Sequence, residues 1–137
     1  MGAIHIWADG GCEVNPGPCG IGVVVISENT REERSEFLGE GTNNIAELTA
    51  IWRGLQLVEK RGREAMWTQI YIYSDSAYAI GSLSQNWKAK KNIELIAKIR
   101  ECLKHFPKVR FVKVKGHAGL AENERADTLA THSVTFK

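Results

Sequence analysis

Three extended runs follow one another before any helical periodicity begins, and that order narrows the fold more than any other feature of the chain. The spacing predicts a strand over Ala3–Ala8, with Ile4 and Ile6 on one face and His5 and Trp7 on the other. Asp9 follows at its end. Gly10–Gly20, rich in Gly and Pro, reads as a loop, without the spacing of a dinucleotide or Walker loop. Ile21–Ile26 reads as a strand buried on both sides, Ser27–Thr30 as a turn, and Ser35–Gly41 as a more polar strand at a sheet edge. Links this short make the three strands an antiparallel meander.

The period then becomes helical. Ile45, Leu48, Ile51, Trp52, Leu55 and Val58 mark one helix face, with Thr42, Asn43 or Asn44 to cap its start and Gly62 near its end. Gln69–Ser74 alternates as a strand, and Asp75 follows it. Ser76–Leu83 reads as a short helix. Asn92 is expected to cap a longer one whose inner face carries Ile93, Ile96, Ala97, Ile99, Leu103 and Phe106, with Pro107 stopping it. Val109–Val114 is a fifth strand, Gly116–Gly119 a flexible loop, and Ala121–Thr131 a last helix containing Asp127.

The order β-β-β-α-β-α(α)-β-α calls for right-handed crossovers and parallel strands in its second half. Placing the fourth strand beside the first makes a mixed five-stranded α/β sheet flanked by helices. Asp9 and Asp75 then share the C-terminal end of two neighbouring parallel strands, where open α/β sheets bind ligands. At 137 residues, the chain has the length of one domain, and residues 1–137 are expected to form it.

Only three of the sixteen acids are Asp: Asp9, Asp75 and Asp127. Glu47, at or just past the first turn of its helix, can converge with them on one sheet edge. Four carboxylates together repel one another, so such a site needs cations or raised pKa values. All-oxygen ligands suit Mg²⁺ or Mn²⁺, and a pair of ions about 4 Å apart could clamp the two reacting oxygens of a phosphodiester.

Net charge is only +2, yet residues 85–115 hold ten Lys or Arg against Glu94 and Glu101, a local balance of +8 that leaves −6 for the rest. Such a block suits a polyanion, or the solvated faces of a helix and a strand. No apolar run reaches the roughly 18 residues of a spanning helix, no signal peptide is evident, and no membrane partner is expected. Three cysteines without a Cys-x-x-Cys pair argue against zinc and against a disulfide framework, and fit a reducing cytoplasm. Cys12 and Cys19 could oxidise to a pair, but nothing in the sequence requires it.

Six strings carry a resemblance: Asp9-Gly10-Gly11-Cys12, Asn15-Pro16-Gly17-Pro18, Thr42-Asn43-Asn44-Ile45-Ala46-Glu47-Leu48, Ser74-Asp75-Ser76-Ala77-Tyr78, Val114-Lys115-Gly116-His117-Ala118-Gly119 and Asn123-Glu124-Arg125-Ala126-Asp127. In this order and over nearly the whole chain they resemble type 1 ribonuclease H. The resemblance implies the ribonuclease H-like strand order 3-2-1-4-5. It also implies endonucleolytic cleavage of the RNA strand of RNA–DNA hybrids, leaving 5′-phosphate and 3′-hydroxyl ends. Asp9, Glu47, Asp75 and Asp127 are then metal-binding catalytic residues holding two Mg²⁺ ions, and His117 is a mobile helper. Cys12, Asn15, Asn43 and Ser76 contact RNA 2′-hydroxyls, which is the contact that tells RNA from DNA. Thr42 and Asn44 face the DNA strand. Trp87, Lys88, Lys90 and Lys91 could line the DNA backbone, though Trp87 would equally suit core packing.

The chain departs from many bacterial members, which carry an extra basic helix and loop between the middle helices. Here residues 86–92 run almost straight into the next helix, so that protrusion is absent. Ala77 replaces a Gln of some members, and Cys19 stands where Gly is usual. The expected protein is a cytoplasmic monomer acting on RNA–DNA hybrid. Alternatives are a ribonuclease H-like domain of a reverse transcriptase, a transposase-like nuclease, or a non-catalytic nucleic-acid-binding module. A pure binder gains nothing from four anions facing phosphate.

Overall fold

The structure, a computed structural model, describes residues 2–85, 87–115 and 120–136. Its elements are β1 (Ile4–Cys12), β2 (Gly17–Ser27), β3 (Thr30–Gly41), α1 (Asn43–Glu59), α2 (Arg63–Met66), β4 (Ile70–Ser74), α3 (Ala77–Ser84), α4 (Ile93–Leu103), β5 (Val109–Lys113) and α5 (Ala121–Thr135). The sheet order is β3-β2-β1-β4-β5, antiparallel among the first three strands and parallel for β1–β4 and β4–β5. This is the expected mixed sheet. No helix among the described residues is long and apolar enough to cross a membrane.

The expected loop over Gly10–Gly20 is a correction. β1 continues to Cys12 and β2 begins at Gly17, so much of the Gly- and Pro-rich stretch is a paired hairpin. Composition favoured a loop, but ladder hydrogen bonds to a neighbouring strand override local preference. Asp9 accordingly sits inside β1, paired with Gly22, and not at the strand's end. For the same reason β3 begins at Thr30 and not at Ser35. The last helix runs on to Thr135, and the short α2 was not anticipated.

One core lies between the sheet and α1, built from Ile4, Ile6, Val23, Leu48, Ile51, Leu55, Ile70 and Ile72, with Ile96, Ile99 and Phe106 arriving from α4 and its end. On α4, Ile93 and Ala97 are exposed instead of inward, so its apolar stripe is narrower than the sequence suggested. α5 covers the opposite face of β1 and β2, where Val24 meets Ala126 and Leu129. Gly22 permits that approach, because a Cβ there would overlap the carbonyl of Ala126. Arg31 of β3 reaches Glu122 at 2.7 Å, and Arg125 reaches Glu33 at 2.8 Å. These ion pairs lash α5 to the edge strand and so help place Asp127.

Candidate active site

β1 and β4 pair in parallel with Trp7 opposite Tyr73. Asp9 and Asp75 each lie two residues further along, so the same register carries both carboxylates to one point at the edge. α1 supplies the third. Thr42 Oγ1 accepts the N–H of Ile45 and caps the helix, which fixes where its first turns lie. Glu47 follows one turn later, and its Oε1 accepts the backbone N–H of Gly10 at 2.8 Å. Ligand oxygens of Asp9, Glu47 and Asp75 all lie within 4.8 Å of one another.

Burial and repulsion act on Asp9 and Glu47. The Asp9 carboxyl is pushed up to about 8, first by burial, then by a hydrogen bond with Asp127 and the charge of Asp75. Burial, with the charges of Asp9 and Asp75, also drives Glu47 well above the usual carboxylate range. Asp127 of α5 therefore joins the group, and it lines with Asp9 a cavity of about 220 Å³. The donor set is all oxygen and close, and two of its members, Asp9 and Glu47, are held above the ordinary carboxylate range. Those properties suit a hard divalent ion. Of the four carboxylates expected to converge, the fold gathers Asp9, Glu47 and Asp75 within 4.8 Å and sets Asp127 beside Asp9.

Beside the carboxylates, Cys12, Asn15 and Asn43 form a linked rim. Asn43 Oδ1 accepts the N–H of Cys12 at 2.9 Å, and the N–H of Asn43 donates to Asn15 Oδ1 at 3.0 Å. Asn43 is thus a bridge between β1 and α1, and Thr42 alone is the side-chain cap. Asn44 is exposed on the first turn of α1. Ser76 caps α3 by accepting the N–H of Ala79 at 3.0 Å. Cys12 is a correction to the expectation against disulfides: it is bonded to Cys19, its partner directly across the β1–β2 ladder. His117 lies outside the described residues.

Between α3 and α4, no further helix occurs among the described residues, so the basic protrusion is absent as expected. Trp87 is 47% exposed and its ring lies against Gly81 of α3. Lys88, Lys90 and Lys91 are exposed, while Ala89 packs on the core. Arg100 was missed by sequence reasoning. Its guanidinium donates to the carbonyls of Ser82 and Trp87, at 2.6 and 2.9 Å, and so pins this segment to α3. Read as one basic residue among ten, it carried no signal of that role. Asn92 holds the expected N-cap position of α4 with a left-handed backbone (φ 57°), but its side chain donates to Tyr78 Oη and makes no capping bond.

Known proteins are similar to this chain in sequence and in fold. The RNase H family matches residues 1–135. A ribonuclease H of Acetivibrio thermocellus is 34% identical, with 98% of this chain and 96% of that protein covered. LC11-RNase H1, isolated from compost, superposes with a TM-score of 0.86 at 32% identity, covering 99% of this chain and 98% of its own. LC11-RNase H1 in complex with RNA/DNA hybrid gives 0.85 at 31% identity, over 97% of both chains. Matched by the family and by its relatives over nearly its whole length, the chain belongs to the ribonuclease H family.

Proposed function

We propose that the chain hydrolyses the RNA strand of RNA–DNA hybrids endonucleolytically, leaving 5′-phosphate and 3′-hydroxyl ends. The observation that carries this reading is the gathering of Asp9, Glu47 and Asp75 within 4.8 Å, in a member of the ribonuclease H family. The similarity to LC11-RNase H1, a protein crystallised with RNA/DNA hybrid, supports the substrate. Asp9, Glu47, Asp75 and Asp127 would hold two Mg²⁺ ions, with Mn²⁺ as a substitute. When bound, such ions stabilise charge on the scissile phosphate and favour ionisation of an attacking water.

The chain's own contribution is positioning. Asp9 is fixed within a paired strand, and Glu47 is aimed by the N–H of Gly10. His117 is assigned, by the family resemblance, to moving a proton or easing product release. The rim of Cys12, Asn15, Asn43 and Ser76 would meet the 2′-hydroxyls of the RNA strand, with Cys12 contributing backbone and sulfur but no thiol proton while oxidised. Thr42 and Asn44 would meet DNA phosphates at the start of α1. Trp87, Lys88, Lys90 and Lys91 would continue that track. The deciding assay incubates the protein with labelled RNA–DNA hybrid, duplex RNA and duplex DNA, with and without Mg²⁺. Mg²⁺-dependent cleavage confined to the RNA of the hybrid is expected. Equal cleavage of duplex DNA, or none of the hybrid, would refute the reading.

A further inference from the structure

The Cys12–Cys19 bond is not used by the chemistry above, yet it sits inside the substrate rim. It closes the turn that carries Asn15, with a sequence separation of 7 between its ends. Cys12 also donates its N–H to Asn43, and Asn43 donates its own to Asn15. The three positions assigned to the RNA strand on β1, the turn and α1 are therefore mechanically one unit, and the disulfide ties that unit to β2. We propose that Cys12 and Cys19 form a reversible thiol–disulfide site whose co-reactant is a low-molecular-weight disulfide, and whose oxidised state tightens the grip on hybrid. This rests on the functional reading just given.

The two sulfurs differ in access. Cys12 is half-buried and lines the cavity shared by Asp9 and Asp127, whereas Cys19 is 1% exposed. A reducing thiolate therefore attacks Cys12 Sγ, and the Cys19 sulfur leaves with the electron pair of the broken bond. It then takes a proton. The resulting thiol can donate to the Gly17 carbonyl, which lies 3.1 Å away, so the buried site accommodates the reduced form as well. A second thiolate cleaves the mixed disulfide at Cys12. The protein ends with two thiols and the reductant with one disulfide. Oxidation is the reverse: two S–H bonds are lost, one S–S bond forms, and the small disulfide accepts two electrons and two protons.

Freed of the cross-link, the turn samples more conformations, and ordering them on binding costs affinity. The carboxylates are held elsewhere, by the β1–β4 register and by α1, so turnover itself does not depend on the bond. Cys102 is the remaining cysteine, and burial pushes its thiol up to about 11, so little thiolate is present there at neutral pH.

The test equilibrates the full chain with oxidised glutathione or with dithiothreitol, removes the reagent, and checks by mass for the two hydrogens that separate the states. Reduction should raise KM for hybrid about three- to tenfold and leave kcat within about twofold. Cys19→Ala should show the high KM in both treatments, with Cys19→Ser in its place if the alanine variant does not fold. Cys102→Ala should keep the full response. Hybrid affinity in Ca²⁺, without turnover, gives the same comparison. Equal or lower KM after reduction, a redox response in the Cys19 variant, or no bond formation with oxidised glutathione would overturn the proposal. Loss of cleavage in both states, with affinity still redox-dependent, would instead overturn the nuclease reading.

Discussion

The N–H of Gly10 donates to Glu47 Oε1 at 2.8 Å, and no side chain fits between the two elements at that point. A Cβ on Gly10 would overlap the backbone of Ala46 and crowd the nitrogen of Glu47. Gly10→Ala must therefore separate β1 from α1 and turn Glu47 away from Asp9. The expected outcome is a fall in kcat of about tenfold or more, with a stability loss of roughly 1–3 kcal/mol from overpacking. Steady-state cleavage and denaturant melts measure the two effects, and unchanged kcat would mean that Glu47 need not be held there.

Asp9→Asn and Asp75→Asn each replace a carboxyl ligand by an amide of the same shape. Either change should abolish cleavage while sparing hybrid binding, because it removes a metal ligand and not a phosphate contact. Binding by anisotropy, alongside cleavage of the same labelled hybrid, separates the two. Near-normal turnover in either variant would sink the assignment of these carboxylates to a metal.

Without metal the carboxylates oppose folding as they ionise. Asp9 binds its proton up to about pH 8 in the folded chain, against about 4 in an ordinary carboxylate. Between those values the folded state holds more protons than the unfolded one, so stability in EDTA should be greatest near pH 4–5 and fall as pH rises to 8. Asp9→Ala should flatten that fall and stabilise the metal-free protein at pH 8 by roughly 1–3 kcal/mol. Urea melts in EDTA across this range decide it, and a strong destabilisation at pH 8 would make Asp9 a structural residue. Repeating the melts in Mg²⁺ should remove most of the pH dependence.

Lys88, Lys90 and Lys91 are exposed on the segment that Arg100 pins to α3. Replacing all three with Ala should flatten the log–log dependence of hybrid affinity on salt by about one to three units, at roughly 0.9 per phosphate contact. KM should rise while kcat changes little, since these charges lie away from the carboxylates. Lys98→Ala with Lys104→Ala is the control. Lys104 is already paired with Glu101 at 3.0 Å, and Arg100 is left intact because it holds Trp87. An unchanged slope in the triple variant, or a larger loss in the control, would place the DNA-strand track elsewhere on the basic segment.

The periods of 2 and 3.6 along the chain determined the element order, and with it the sheet order β3-β2-β1-β4-β5. Those periods are local, and right-handed crossovers leave few ways to assemble them. The meeting of Asp9 and Asp75 was legible for the same reason: both follow apolar strand runs that become parallel neighbours. Glu47 and Asp127 were legible from the motifs around them. Only the tertiary structure decided the rest, because it rests on partners distant in sequence. The ladder that extends β1 and β2 through a Gly- and Pro-rich stretch is a pairing between strands, and no single-residue preference reveals it. The Cys12–Cys19 bond depends on the register of that ladder, which sets the two residues face to face. Arg100 looked like one cation in a basic block until the carbonyls of Ser82 and Trp87 were brought to its guanidinium. Charge and hydropathy are written residue by residue, whereas register, burial and hydrogen-bond partners exist only once the chain has closed on itself.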